Sequence, residues 1–290
     1  MPRYGRFPMG RFPGRMGRRG RRGGRFRLWP IALFALFGLF YFFSNSETVE
    51  ITGRRQIVDI SEDQEITLGL NSYNQILNQS DVVPHGREVD LVNDIGRRIA
   101  SVTGETDFPW EFNLIRSDQA NAFALPGGKV AVYSGILPVA KNVDGLAVIM
   151  GHEVAHAIAR HGAERMTHQK LKQWGTMAIG MAVGEMDIGT QRTVMGALGV
   201  GSQFGIMLPF SRKHESEADY IGLIYVARAC FDPREAPKVW ERMEKASKGD
   251  GPGEFMSTHP SPKTRIEQFK KWMPEALAER EKHCGRQAGF

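Results

Sequence analysis

His152-Glu153-Val154-Ala155-His156 lies inside a strongly apolar run, from Leu146-Ala147-Val148-Ile149-Met150-Gly151 on one side to Ala157-Ile158-Ala159 on the other. This pattern predicts one long buried helix over about Val143–Thr167. Side chains four residues apart on a helix share a face one turn apart, so both imidazoles can reach a single ion. Glu153 stands beside that position rather than on it, placed to take a proton from an activated water. The alternative is a surface helix carrying an accidental histidine pair. An apolar helix of that kind would bury Glu153 unpaired, at a substantial free-energy cost. H-E-x-x-H is also the zinc-peptidase signature, so the helix is expected to be central and to meet a further ligand from elsewhere.

A catalytic zinc site takes three protein ligands and keeps one position for water. The longer signature with a third histidine would need glycine at 159 and histidine at 162, where the chain has Ala159 and Gly162. His161 falls about 180° around a continuous helix from His152, so it is expected to point away as a polar or packing residue. An acid on a second helix is the other source. In His214-Glu215-Ser216-Glu217-Ala218-Asp219, Glu215 and Asp219 share a face and Glu217 projects to another side. They are either a ligand and its hydrogen-bond partner or an ordinary acidic first turn complementing the helix dipole.

The formal net charge of +6 is a property of the N-terminus. Residues 1–27 hold ten arginines and no acid, and the remainder carries 28 basic against 32 acidic residues. A nucleic-acid partner for the main domain is therefore not expected. Residues 1–27 read as a disordered Arg/Gly-rich tail. Residues 28–46 read as an uncleaved transmembrane signal anchor rather than a cleaved signal peptide, because the small-residue cleavage pattern is missing and the apolar run ends in bulky Phe42-Phe43. Sixteen uncharged residues are short for a span, which needs about 20, with Ser44-Asn45-Ser46 extending them. The arginine flank keeps the tail cytoplasmic and puts residues 47–290 across the membrane. In a Gram-negative cell that means a single-pass inner-membrane protein with a periplasmic domain.

Along that domain, helices are expected from Ser61 to Asn78, over Glu88–Val102, from His214 to Cys230, after Asp232, and from Pro262 onward. Strands are expected near Glu50–Ile60, at Trp110–Arg116, and as a hairpin of Asn121–Leu125 and Lys129–Ser134 around Pro126-Gly127-Gly128. Residues 171–208 read as a mobile helical lid or membrane-proximal segment. The strand at Asn121, Ala122 and Phe123, or its hairpin partner, can offer a sheet edge to an extended peptide. Cys230 and Cys284 lack metal-ligand spacing and are expected as two buried or free thiols, although an oxidising compartment would let them pair.

Taken in order, Arg54, Ser61–Glu65, Asn121–Gly128, Ser134-Gly135-Ile136-Leu137, His152–His156, Glu215–Asp219 and Thr258-His259-Pro260 resemble the HtpX, Oma and CAAX-prenyl-protease family of membrane-associated zinc metallopeptidases, over roughly residues 54–270. With one membrane segment the chain is most similar to the single-span Oma-like or periplasmic members. It departs from the multi-span prenyl proteases, and it shows no internal repeat. The resemblance implies an α+β, mainly helical zincin-like (gluzincin) domain with a small antiparallel sheet. It implies one Zn2+ per chain held by His152, His156 and Glu215, with Asp219 in support and Glu153 as base. It sets Asn121-Ala122-Phe123 beside the cleft, and makes His259 either a latch on the open metal position or a donor to the oxyanion. The expected function is a membrane-anchored zinc metalloendopeptidase of misfolded or envelope proteins, with protein substrates, membrane lipid and a possible homo-oligomer as partners. A latched zinc-containing chaperone or assembly factor is the alternative.

Overall fold

The apolar run around His152 forms a helix buried on every side from Gly145 to Ala157, and the rest of the fold is arranged around it. The computed structural model describes residues 27–105, 108–184, 186–190, 211–246, 255, 259 and 262–285. In chain order these form α1 (Trp29–Ser44), β1 (Ser46–Thr48), β2 (Arg55–Ile57), α2 (Glu62–Asn78), α3 (Arg87–Ala100), β3 (Glu111–Ile115), β4 (Ala122–Leu125), β5 (Lys129–Tyr133), the short α4 (Leu137–Ala140), the central α5 (Val143–Ile158), α6 (His161–Val183), α7 (Arg212–Arg228), α8 (Glu235–Ala246) and α9 (Pro262–Cys284). The fold is thus mainly helical with small sheets. Side-chain caps start α2, α5 and α7: Ser61 forms a capping box with Gln64, Asn142 accepts from the Gly145 amide, and Ser211 accepts from the His214 amide.

The main sheet has the order β3-β5-β4. The hairpin β4–β5 is antiparallel, pairing Leu125 with Lys129 across the expected Pro126-Gly127-Gly128 turn. The expectation of a purely antiparallel sheet is corrected, because β3 and β5 run parallel, with Glu111 opposite Lys129. Residues 116–121 carry the chain back before β4 begins, so the hairpin docks its second strand rather than its first against β3. That leaves β4 at the edge, next to α5.

Cys230 and Cys284 are joined in a disulfide, with their Cα atoms 5.7 Å apart. This corrects the expectation of two thiols. The bond ties the end of α7 to the end of α9 across a separation of 54 residues, a proximity that only helix packing creates. Closing a loop of that length removes about 4 kcal/mol of denatured-state entropy. Replacing both cysteines by serine is therefore expected to lower stability by about 4 kcal/mol in denaturant titration, and an unchanged midpoint would contradict this.

The helix α1 forms where the anchor was expected, but its 16 residues span about 24 Å against a hydrocarbon core of about 30 Å. No described helix is long and apolar enough to cross a membrane, so a single-helix span is not established. One side of α1 packs on α6, where Phe37 and Tyr41 meet the Trp174 ring edge-on at 5.5 and 5.7 Å. Leu33, Leu36, Phe40 and Phe43 of α1 stay exposed, as do Met177 and Met181 of α6. Of the expected lid, residues 171–183 belong to the single helix α6, which continues to Val183. Residues 191–208 lie outside the described residues, as do residues 1–26 of the tail.

Candidate metal centre

Two buried helices must approach closely for their side chains to share an ion, and glycines allow it here. Gly151 on α5 faces Gly222 on α7. A Cβ built at Gly222 would stand 2.9 Å from the Gly151 carbonyl carbon, and one at Gly151 would stand 2.8 Å from Val226. Any side chain at either position would force the helices apart and separate the residues that follow from those opposite.

At this crossing His152 and His156 from α5 meet Glu215 from α7, all buried. His152 Nε2 and His156 Nε2 are 3.1 Å apart, and the Glu215 carboxylate lies 3.5 Å from each. His259 joins them, its Nδ1 3.2 Å from His152 Nε2 and 3.0 Å from Glu215 Oε1. Four donors about 2.0–2.2 Å from a common centre in a tetrahedron stand ~3.3–3.6 Å from one another. Donor atoms of these four residues all lie within 4.8 Å of one another. Two imidazoles, a third imidazole and a carboxylate also match the nitrogen and oxygen donors that zinc takes.

The ring orientations fit the same use. His152 Nδ1 is 3.1 Å from Asp219 Oδ1. Donation there leaves the Nε2 lone pair facing the other donors, the arrangement expected of a metal-bound histidine. His156 is set by a longer chain: its Nδ1 is 2.9 Å from His161 Nδ1, and His161 Nε2 is 2.9 Å from Glu217 Oε2. If each ring passes its hydrogen outward toward Glu217, the His156 Nε2 lone pair also faces the centre. Arg54 completes the chain, contacting Glu217 through Nε at 2.5 Å and Glu164 through Nη1 and Nη2 at 3.0 and 2.8 Å.

His161 therefore corrects the sequence reading. That reading assumed one helix through Thr167, but α5 ends at Ile158, and Arg160 takes a left-handed conformation with φ of 54° before α6 starts. Arg160 is held there by Glu65, by Glu47 and by the Ile60 carbonyl. The break turns His161 back toward His156. Partners 95 to 113 residues away impose it, and no local signal in Ala159-Arg160-His161-Gly162 announces it. Glu217 lies on the other side of α7 as expected, where it meets His161 and Arg54 instead of the donor cluster.

Arg265 on α9 is the remaining organiser. Its guanidinium holds Asp219 with two bonds of 2.6 and 2.5 Å and Glu215 with one of 2.8 Å, and it stacks 3.3 Å from the Trp240 ring. For Glu215 and His156 the electrostatics favour the charge states that ligation needs. Burial pushes the Glu215 carboxyl up, but the charge of His259 and the hydrogen bonds from His152 and His259 outweigh it and hold the group far below the usual carboxylate range. Burial, reinforced by the charge of His152, keeps His156 neutral by lowering it well below its ordinary value. For His152, burial and Arg265 pull downward, yet the bonds to Asp219 and Glu215 leave it raised.

Glu153 behaves differently. Burial pushes its carboxyl up to about 7, only partly opposed by the charge of His259. Its Oε1 has no hydrogen-bond partner among the described residues, and His259 Nε2 is 3.6 Å away. A buried, unpartnered carboxylate oxygen beside three imidazoles is suited to hold a water.

The strand β4 borders this cluster. The amide of Tyr133 bonds the Asn121 carbonyl, so alternation along the antiparallel pair turns the backbone groups of Ala122 and Ala124 to the edge that β5 does not pair. The Ala124 amide hydrogen-bonds Glu153, and the Ala122 amide is capped by its neighbour Asn121 Oδ1. Of the three residues expected to line the cleft, Ala122 is on this edge. Phe123 instead packs toward Tyr133, with ring centroids 6.1 Å apart.

The sequence model of Peptidase family M48 matches residues 88–273. "Mitochondrial metalloendopeptidase OMA1" of Schizosaccharomyces pombe is 40% identical over 245 residues, covering 83% of this chain and 70% of that protein. The protein of the same name from Saccharomyces cerevisiae is 32% identical over 258 residues, covering 81% and 71%. "Beta-barrel assembly-enhancing protease" of Escherichia coli K12 is 29% identical over 233 residues, covering 78% of this chain and 47% of that protein.

Proposed function

Because the chain belongs to peptidase family M48, we propose that its ion is zinc, held by His152, His156 and Glu215, and that Glu153 is the base of peptide hydrolysis. The chain is a membrane-associated metalloendopeptidase and acts on proteins. The observation that carries the site assignment is the four-donor cluster with the unpartnered Glu153 Oε1 beside it. Bound there, zinc supplies a Lewis acid that acidifies water and polarises the scissile carbonyl. Glu153 accepts the water proton and hands it to the leaving amine. The open edge of β4 pairs with the substrate main chain through the Ala122 and Ala124 carbonyls, in the manner of strand addition. Asn121 holds the Ala122 amide out of that pairing.

His259 occupies the position of a fourth donor, which fits the latch role better than that of an oxyanion donor. Substrate entry then requires the imidazole to swing out, after which it is available to the developing oxyanion. The chaperone reading is not favoured, since the relatives are named metalloendopeptidase and protease.

The exposed apolar side of α1, with Met177 and Met181 of α6, is the surface we assign to membrane lipid. The placement as a single-pass inner-membrane protein with a cytoplasmic tail and the domain on the far side rests on the arginine flank, and the disulfide agrees with an oxidising compartment. We further infer that the substrates are misfolded or envelope proteins that reach this membrane surface.

Purified full-length protein in detergent is expected to cleave casein, to stop after chelation, and to recover with one equivalent of Zn2+. Cleavage that survives complete metal removal would overturn the mechanism. Recovery with another metal alone would overturn the choice of zinc.

A further inference from the structure

A cavity of about 230 Å3 opens directly beyond His156. One face of α2, one face of α6 and the end of β4 enclose it. Leu68 from α2 is half exposed at its rim, Leu125 and Pro126 close one side, and Met166 and Gly162 line the α6 wall. The wall is fixed by contact: a Cβ at Gly69 would meet the Pro126 carbonyl oxygen at 2.1 Å, so α2 and the β4–β5 turn touch there. A larger groove of about 600 Å3 lies between α3 and β3 on the far edge of the sheet, and none of the donor residues lines it.

Resting on the reading that a substrate strand lies along β4 across the metal cluster, we propose that this cavity is the subsite for one large apolar side chain, of the leucine, methionine or phenylalanine class, next to the scissile bond. Three observations converge. The cavity shares the ligand His156 with the cluster and Ala124-Leu125 with the strand that borders it. Its exposed lining is mainly apolar, although Glu65, Ser72, Arg165 and Gln169 also border it. It is too small for a drug-sized ligand, which needs about 300–1,000 Å3, but it accommodates a single side chain. A peptidase that tests for a large apolar residue cuts where chains expose what folding normally hides, which gives the site a selectivity for unfolded protein.

Gly162 supplies the test. It lies in the first turn of α6, and a Cβ added there meets no atom within 4 Å. Gly162→Leu therefore starts a bulky side chain in open space at the cavity wall, while Gly162→Ala fills little of it. Full-length zinc-loaded protein is assayed on peptides that differ only in having leucine, phenylalanine or alanine beside the cut bond. The wild type should favour the large residues by about 10–200-fold in kcat/KM. Gly162→Leu should shrink that ratio at least tenfold, and Gly162→Ala should largely keep it. Peptide binding to the Glu153→Gln protein, read by calorimetry, gives the same comparison without turnover. A wild type indifferent to side-chain size, in cleavage or in binding, overturns the subsite, as does a ratio unmoved in a folded, zinc-replete Gly162→Leu. Failure of the peptidase reading looks different: no peptide is cut, while the binding ratio still decides the subsite.

Discussion

Replacing Glu153 by glutamine should cut peptide hydrolysis by about 10^2–10^4-fold, the usual contribution of a positioned acid–base group, while the metal content stays that of the wild type. Glutamine keeps the shape and the hydrogen bond from Ala124 but cannot accept the water proton. The donors His152, His156 and Glu215 are untouched, so metal analysis should read the same. Retained cleavage by a clean preparation of the variant would remove Glu153 from the mechanism.

The same substitution carries a stability signature in the chelated protein. Burial raises the Glu153 carboxyl from its ordinary value of 4.5 to about 7. A carboxyl raised by folding favours the folded state fully below about pH 4.5 and loses that contribution as pH rises through 7. Glu153→Gln has no such titration. The melting temperature of the chelated variant should therefore gain on that of the wild type between pH 4.5 and 7 and level off above. A difference constant across that window would mean that Glu153 is ionised without penalty.

Arg265→Leu should be the most damaging single change to the fold. The guanidinium is 3% exposed and its partner Asp219 fully buried, so the substitution removes two charged hydrogen bonds from buried Asp219 and one from buried Glu215. Breaking a buried pair from one side costs about 3–5 kcal/mol. For a chain of this size that corresponds to a melting temperature lower by about 6–12 °C. Because Asp219 orients His152, metal affinity should also fall by about 10–100-fold, the usual effect of losing the support behind a ligand. Arg265→Lys, which keeps the charge but not the fork, should recover stability better than affinity. A loss under 1 kcal/mol with normal zinc affinity would show that Asp219 does not depend on Arg265.

How far the sequence foretells this site depends on whether each signal is local. The i,i+4 pair of His152 and His156 and the apolar run around it sit within one helix, and the structure returns them as read. Glu215 and Asp219 were either ligand and partner or an ordinary acidic first turn. Residues 1–27 of the chain, however arginine-rich, say nothing about which. The approach of α7 to α5, through two glycines 71 positions apart, is what brings Glu215 beside the two imidazoles. The hairpin around Gly127-Gly128 was legible because turn chemistry is local, whereas the parallel pairing of β3 with β5 was not.

The residues whose roles were not legible in the sequence share a cause. His161, Glu217, Arg54 and Arg265 act through partners supplied by other elements, and no spacing along the chain encodes such contacts. Cys230 and Cys284 likewise become a pair only because α9 lies along α7. Periodicity and motif spacing were enough to specify a buried helix bearing two imidazoles and a carboxylate, since those depend on 3.6 residues per turn. Which acid completes the cluster, which way each ring donates, and where a substrate side chain finds room depend on distances between segments remote in the chain. Packing alone sets those.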